Sequence, residues 1–459
     1  MLSRRKLMQS GLAAMAGPQI IPSSVFGGEG KKPPSQRIAV GMIGVGRQAY
    51  QVNLKQFLKM PDVQVVEVCD VDAWRLENAR RAIDEHYGKD RPAGYRACRT
   101  GIEFRDLLAR PDIDAVMIST PDHWHVPMAL AAMEAKKDVS LEKPITRSIG
   151  EGRRLAEAAA KFDRIFRVDS EFRTTPGVHR AAELIRNGHL GEIVRVTTAV
   201  PQTDVPCPQQ PEMPIPEGFD YERWQGNAPH APYTEKRVHP VKSYERPGWM
   251  RRLEYCDGMI TNWGAHLNSG AMWCTDLERT GPVEVEGTGE YPGPESFWNV
   301  LLKFEVKYRF ASGLEWTYRT EKPYFKIEGT KGWILADFSH IEAQPASLLD
   351  VKIGPSELQF PRKSDKQDFI DSVKSRRPTL EPAEVGHRVT SLCHLGHIAI
   401  YLGQKLHWDP KAERFANNEA ANALIDRPIR SPRSAASLRE AASRTPHAPR
   451  EERATSRGA

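Results

Sequence analysis

Between Arg37 and Pro144 the chain alternates short β-rich runs with stretches of helical apolar spacing, and this alternation restricts the fold more than any other feature. RIAVGMIGVG, VQVVEVCD, DAVMISTP and DVSLEKP read as strands. QAYQVNLKQFLKM, AWRLENARRAIDEHYG and HVPMALAAMEAKK repeat apolar residues at the period of a helix. Strand–helix–strand units in series bury both faces of their strands as a parallel sheet covered by helices. The expected architecture is α/β, with a doubly wound parallel sheet over residues 37–165.

Past Gly188 the pattern changes. GEIVRVTTAV, SFWNVLLKFEV, GLEWTYRTE and YFKIEGTKGWILADF alternate apolar and polar residues and are rich in β-branched and aromatic types. They predict an open, mostly antiparallel sheet with one buried face, within an α+β domain over 166–432. Between the two patterns lies a Pro-rich stretch, Pro201–Pro247, full of Trp, Tyr and His. A connection that long inside a compact domain points to function. DKQDFIDSVKSRR and PAEVGHRVTSLCHLGHIAIYLGQK read as late helices, and the Arg/Ser/Ala-rich tail 433–459 as disordered.

The net charge is +6, of which Arg4, Arg5 and Lys6 carry three. Eight arginines against three glutamates from Arg427 onward carry five more, which leaves −2 for the body. The basic ends therefore give the body no nucleic-acid surface. No run reaches the ~18 apolar residues of a membrane span. The six cysteines form no C-x-x-C pair, which argues against a zinc framework and for scattered core thiols, with one or two disulfides possible. SRRKLMQ ahead of a modest apolar segment resembles a twin-arginine export signal over 1–27, followed by a linker, 28–36. The expected location is periplasmic.

Gly44, Gly46 and Ala49 form G-x-G-x-x-A between the first strand and the first helix. The first glycine allows the tight turn, and the second lets a pyrophosphate approach the backbone, beside Arg47 and Gln48. Asp70 ends the second strand, 24 residues after Gly46. A carboxylate there binds ribose hydroxyls and repels a 2′-phosphate, so NAD is favoured over NADP, although Arg75 stands near. TPDHWH follows the third of these strands, which places Thr120, Pro121, His123 and His125 on the sheet's carboxyl edge, in a loop beside the nicotinamide end. The two histidines lack a third ligand at suitable spacing, so no metal is expected. Glu142-Lys143-Pro144 ends the next strand. The proline pushes Lys143 into an extended turn at the same edge, where it is a surface charge or a working group. His266 lies in the apolar stretch Gly258–Trp273, as a structural histidine or as part of the wall between domains.

GMIGVGRQAY, CDVD, ISTPDHWH, LEKPI and NWGAHLNSGAMW stand in the order seen in the Gfo/Idh/MocA oxidoreductase family, and the chain resembles it from about Arg37 to Pro432. FDYERWQGNAPHAPY and HLGHIAIYLGQKLHWDP are similar to segments of its exported bacterial branch. The resemblance implies hydride exchange between a nicotinamide and a sugar, polyol or related carbohydrate, and a homo-oligomer formed through the second domain's sheet. It implies that His266 takes the hydroxyl proton, that Lys143 stabilises charge on the same oxygen, and that Glu142 belongs to the cofactor site. The family's usual aspartate four residues before the histidine is Asn262 here, and the acidic residue often found three after it is Ser269. Three outcomes fit: alcohol oxidation assisted by Asp257 or Tyr255, altered chemistry, or sugar binding without turnover. Free NAD is scarce outside the cytoplasm, so an exported enzyme is expected to keep its cofactor and restore it in place. It would do so with a second substrate, or as a redox-cycling glycosidase or lyase.

Overall fold

The computed structural model describes residues 36–89 and 97–427. The signal segment, all of the linker but its last residue, and the basic tail lie outside the described residues. The first sheet has six parallel strands: β1 Ile38–Ile43, β2 Val63–Cys69, β3 Arg99–Gly101, β4 Ala115–Ile118, β5 Asp138–Glu142 and β6 Phe166–Asp169. Their spatial order is β3-β2-β1-β4-β5-β6. The chain reverses direction across the sheet between β1 and β4, and a doubly wound sheet opens its ligand crevice there, at the carboxyl ends of the strands.

β1 and β4 are buried because helices cover both faces. The first helical segment is a π-helical turn, Ala49–Asn53, running into the helix Leu54–Leu58. The wide turn points Asn53 into the core, where its amide meets Ser119 and Glu142. Such turns recur at functional sites.

The first domain extends past the expected boundary at 165. β6 pairs in parallel with β5, and its Arg167 and Asp169 are buried. Two charges in four residues do not read as a core strand. Their partners come from the helix Asp365–Ser375, where Asp365 and Asp368 pair with Arg167 and Lys366 pairs with Asp169. The same helix adds Phe369, Ile370 and Val373 to the core beneath β1 and β2.

The second sheet has nine strands: β7 Ile193–Val200, β8 Glu284–Glu290, β9 Lys303–Arg309, β10 Glu315–Thr320, β11 Tyr324–Gly329, β12 Gly332–Ala336, β13 Ile341–Gln344, β14 Leu406–Asp409 and β15 Arg414–Phe415. Only the β7–β10 pair is parallel. Phe304, Val306, Trp316, Tyr318, Phe325 and Ile327 point inward at a period of two, against the helices Gly264–Thr275 and Ala383–Leu402. Val194, Arg195, Lys307 and Glu315 lie on the open face. All six cysteines are buried free thiols, so the possible disulfides are absent. No helix among the described residues is long and apolar enough to cross a membrane.

Candidate active site

The turn after β1 begins with Gly44 at φ +82°, a conformation that suits glycine. A Cβ there would also meet the Ser119 backbone at 2.8 Å. At Gly46 the opposite holds: a Cβ would meet nothing within 4 Å. Open space above a glycine turn, at the start of a helix, is the cradle a pyrophosphate requires. Asp70 fixes the turn from β2, its carboxylate accepting from Val45 N–H at 2.7 Å and Asp72 N–H at 3.0 Å. Gly44, Gly46, Arg47, Gln48 and Asp70 all line one cleft of about 720 Å³. These residues fit a dinucleotide.

Arg75 lines the cleft as well. It pairs with Asp72 at 3.2 Å and donates to the Ser243 carbonyl at 2.8 Å. Asp72 also meets His239 at 3.0 Å. The Pro-rich stretch is thus tied to the β2 edge, and Tyr244 stacks on Tyr50 with ring centroids 4.4 Å apart and planes 2° from parallel. Trp224, Arg246 and Trp249 from this strap form the far wall of the cleft.

At the end of β4, Thr120 and Pro121 line the cleft. The residues after them start a helix, Asp122–Glu134, and not the expected loop. His125 sits in its first turn, on the cleft wall. Its Nδ1 lies 2.7 Å from the Pro144 carbonyl and its Nε2 2.9 Å from the Thr120 carbonyl. A neutral ring has one N–H, which only one of these two carbonyls accepts at a time. Burial pushes its pKa down to about 4, so the ring sits between the two turns as a neutral group. His123 is a correction: it does not line the cleft. Its Nε2 lies 2.9 Å from the Trp224 carbonyl and its ring packs against Trp224 and Tyr255. Two residues along a helix is a rotation of about 200°, which turns His123 into the core while His125 meets the cleft.

Glu142 ends β5 and accepts from Asn53 at 2.8 Å; burial, then Asp169, raises its carboxyl to about 8. Lys143 follows, and the Lys143–Pro144 peptide is cis. Its Nζ donates to the backbone carbonyl of Asn262 at 3.3 Å. His266 faces the same space. Its Nδ1 lies 2.5 Å from the Ser170 carbonyl, which can only accept, so the proton sits on Nδ1 and Nε2 carries a lone pair. Burial, then Lys143, holds this imidazole well below its ordinary range, hence neutral. Lys143, Asn262 and His266 line one cleft with the glycine turn.

Two expectations fail here. Tyr255 is buried among aromatic rings, and Asp257 pairs with Arg427 at 2.6 Å, with His394 and His397 close by. Neither lines the cleft, so neither assists from there. Ser269 accepts from Arg173 and donates to Glu381, both at 2.7 Å, in the core. Sequence reasoning missed Glu171, Phe338 and Arg246, which also line the cleft. The only sign of Glu171 was its place after a strand that did not read as one. Phe338 packs edge-on to His266 with centroids 5.3 Å apart.

Residues 38–170 match the model of the oxidoreductase family's NAD-binding Rossmann fold, and residues 203–435 that of the family's C-terminal α/β domain. A glycosyl hydrolase family 109 protein of Saccharopolyspora erythraea is 34% identical over 173 residues, 35% of this chain and 37% of that protein. Another, from Shewanella woodyi, is 31% identical over 164 residues, 35% of this chain and 34% of that protein. The matches therefore span little more than a third of these curated relatives. Among solved structures, an aldose–aldose oxidoreductase from Caulobacter crescentus complexed with glycerol aligns over 81% of this chain and 99% of its own, at 18% identity and a TM-score of 0.59. A dehydrogenase from Bordetella pertussis in complex with NADH and UDP-GlcNAcA aligns over 81% and 99%, at 16% identity and a TM-score of 0.57. These two are likenesses of fold. With both of its domains matched, the chain belongs to the Gfo/Idh/MocA oxidoreductase family.

Proposed function

We propose that this protein is an NAD-dependent oxidoreductase acting on a carbinol of a sugar, polyol or related carbohydrate. One observation carries this reading: Lys143 and a neutral His266 with its lone pair on Nε2 share the cleft of the glycine turn. Bound NAD would supply the hydride acceptor. The carboxylate of Asp70 at the end of β2, together with an Arg75 already paired with Asp72, supports NAD over NADP. His266 Nε2 takes the hydroxyl proton, and the Lys143 ammonium holds the developing charge on that oxygen. A preorganised donor of this kind contributes about 3 kcal/mol to the barrier difference. The strap over the β2 edge favours a cofactor that stays bound, in keeping with the export signal read in SRRKLMQ and a periplasmic location. The open face of the second sheet suits pairing with a second copy.

The test is mass spectrometry of nucleotide released from purified protein, followed by stopped-flow fluorescence with a panel of aldoses, polyols and glycosides. NAD in the released fraction and NADH formation with at least one sugar support the reading. Absence of both, with no affinity for added NAD, defeats it. A second reading rests on the relatives named glycosyl hydrolase family 109. In it the cleft oxidises a hydroxyl, eliminates a neighbouring substituent and restores the hydroxyl, with no net redox change. Cleavage of an aryl glycoside that depends on NAD without NADH accumulation separates it from the first.

A further inference from the structure

Glu171 follows β6 and lines the cleft together with Lys143, Asn262 and His266. Three features set it apart from an ordinary surface carboxylate. Its Oε1 is shut off from solvent and has no hydrogen-bond partner. Leaving a buried acceptor unpaired is costly, so such a group calls for a cause. Its backbone is left-handed, at φ +57° and ψ −23°, a region that disfavours side chains other than Gly, Asn and Asp. That conformation is held from outside: the Glu171 N–H donates to Asp365, and Thr174 Oγ1 donates to the Glu171 carbonyl at 2.8 Å. Finally, Glu171 follows Ser170, whose carbonyl sets the tautomer of His266. One strained turn thus orients the imidazole and puts Glu171, with one carboxyl oxygen unpartnered, on the wall of the same cleft.

Oxidation of a carbinol releases a single proton from oxygen. His266 accepts it and Lys143 steadies the oxygen, so the hydride reading leaves no task for a third titratable group. Resting on that reading, we propose that Glu171 is a second proton-transfer group of this cleft, acting on the carbon next to the one whose oxygen meets Lys143 and His266. The substrate at this stage is the ketone. The adjacent C–H bond breaks, its proton forms an O–H bond on the Glu171 carboxylate, and the electron pair becomes the C=C of an enolate. The enolate oxygen is the one facing Lys143. Expulsion of a substituent from the next carbon, or return of the proton, completes the step without any oxidant.

The surroundings suit a carboxyl that gives and takes protons near neutrality. Asp169, Lys366, Asp365 and Lys143 face it, and burial, then Asp169, raises it to about 7. A proton acceptor works best with a pKa near the working pH.

The test supplies the ketone directly. Full-length protein is incubated in D₂O with methyl 3-keto-α-D-glucopyranoside, and loss of the C2 and C4 proton signals is followed by NMR against a buffer control. Wild type is expected to speed exchange, with a rate that rises with pH through about 7 as the carboxylate forms. Glu171→Gln is expected to lower exchange by at least about 100-fold and to flatten the pH dependence. Thermal midpoint and bound-nucleotide content check that this variant is folded, and Glu171→Asp, which keeps the carboxyl, should recover part of the rate. The proposal is overturned if wild type is no faster than buffer, if Glu171→Gln exchanges at the wild-type rate, or if only His266→Ala abolishes exchange. Exchange measured on the ketone needs no hydride step. Intact exchange with no NADH from any sugar would therefore strike the hydride reading and not the assignment of Glu171.

Discussion

A neutral imidazole has one donor and one acceptor, and at His266 the Ser170 carbonyl decides which is which. The side chain at 262 does not do this work, so the neutral ring keeps its lone pair on Nε2 without the family's usual carboxylate. Asn262 instead offers its backbone carbonyl to Lys143. A carboxylate restored at this position would favour the imidazolium. Asn262→Asp is expected to move the acid limb of the kcat/KM profile for sugar oxidation to higher pH by about one unit, because His266 must be neutral to act. An unmoved limb would show that residue 262 does not sense the imidazole. Lys143→Ala is expected to lower kcat about 100-fold with little change in nucleotide content. The placement of these residues was partly legible: the proline after Lys143 and the strand before it located the lysine. The tautomer of His266 was not legible, since its partner lies 96 residues away on another strand's end.

Among the elements, the turn after β1 was the most legible, because G-x-G-x-x-A followed by an acidic strand end is a local pattern with a local cause. Gly46→Val should retain the fold, since its Cβ meets nothing within 4 Å and its φ is not left-handed. The unfolding free energy without nucleotide is expected to stay within about 1 kcal/mol of wild type. NAD affinity measured by calorimetry is expected to fall at least tenfold, as the side chain enters the pyrophosphate cradle. Unchanged affinity would put the phosphates elsewhere. β6 was illegible for the opposite reason. Its charges are buried by a helix about 200 residues later, and no window of sequence around Phe166 contains those partners. The same holds for His123 and His125, two apart on what read as a loop. Once the helix begins at Asp122, one faces the core and the other the cleft.

At the scale of the whole molecule, buried titratable groups of both kinds set the response to pH. Burial lowers His123 and His394 to about 3 and His125 to about 4, against 6.5 in an open chain. Below 6.5 the unfolded chain binds protons that these rings refuse, so they make stability fall as pH falls. Burial raises Asp122 to about 7 from 3.8, and Glu171 to about 7 and Glu142 to about 8 from 4.5. These keep protons in the native state that the unfolded chain gives up, so they make stability fall as pH rises from about 4 to 8. The two sets oppose each other between about 4.5 and 6.5. The urea midpoint of nucleotide-free protein is expected to be broad and highest there, and to decline on both sides. A midpoint rising steadily from pH 4.5 to 8 would mean the carboxyls are not held protonated. The two-domain order was readable from the change in apolar period. The cleft's far wall was not, because Pro201–Pro247 has no periodicity and takes its shape from contacts with the β2 edge. A crystal structure with NAD and a bound sugar tests the whole account most directly. It should place the nicotinamide C4 about 3–3.5 Å from a carbinol carbon whose oxygen touches both Lys143 Nζ and His266 Nε2. A ring bound away from these two groups, or a sugar oxygen that reaches neither, would contradict it.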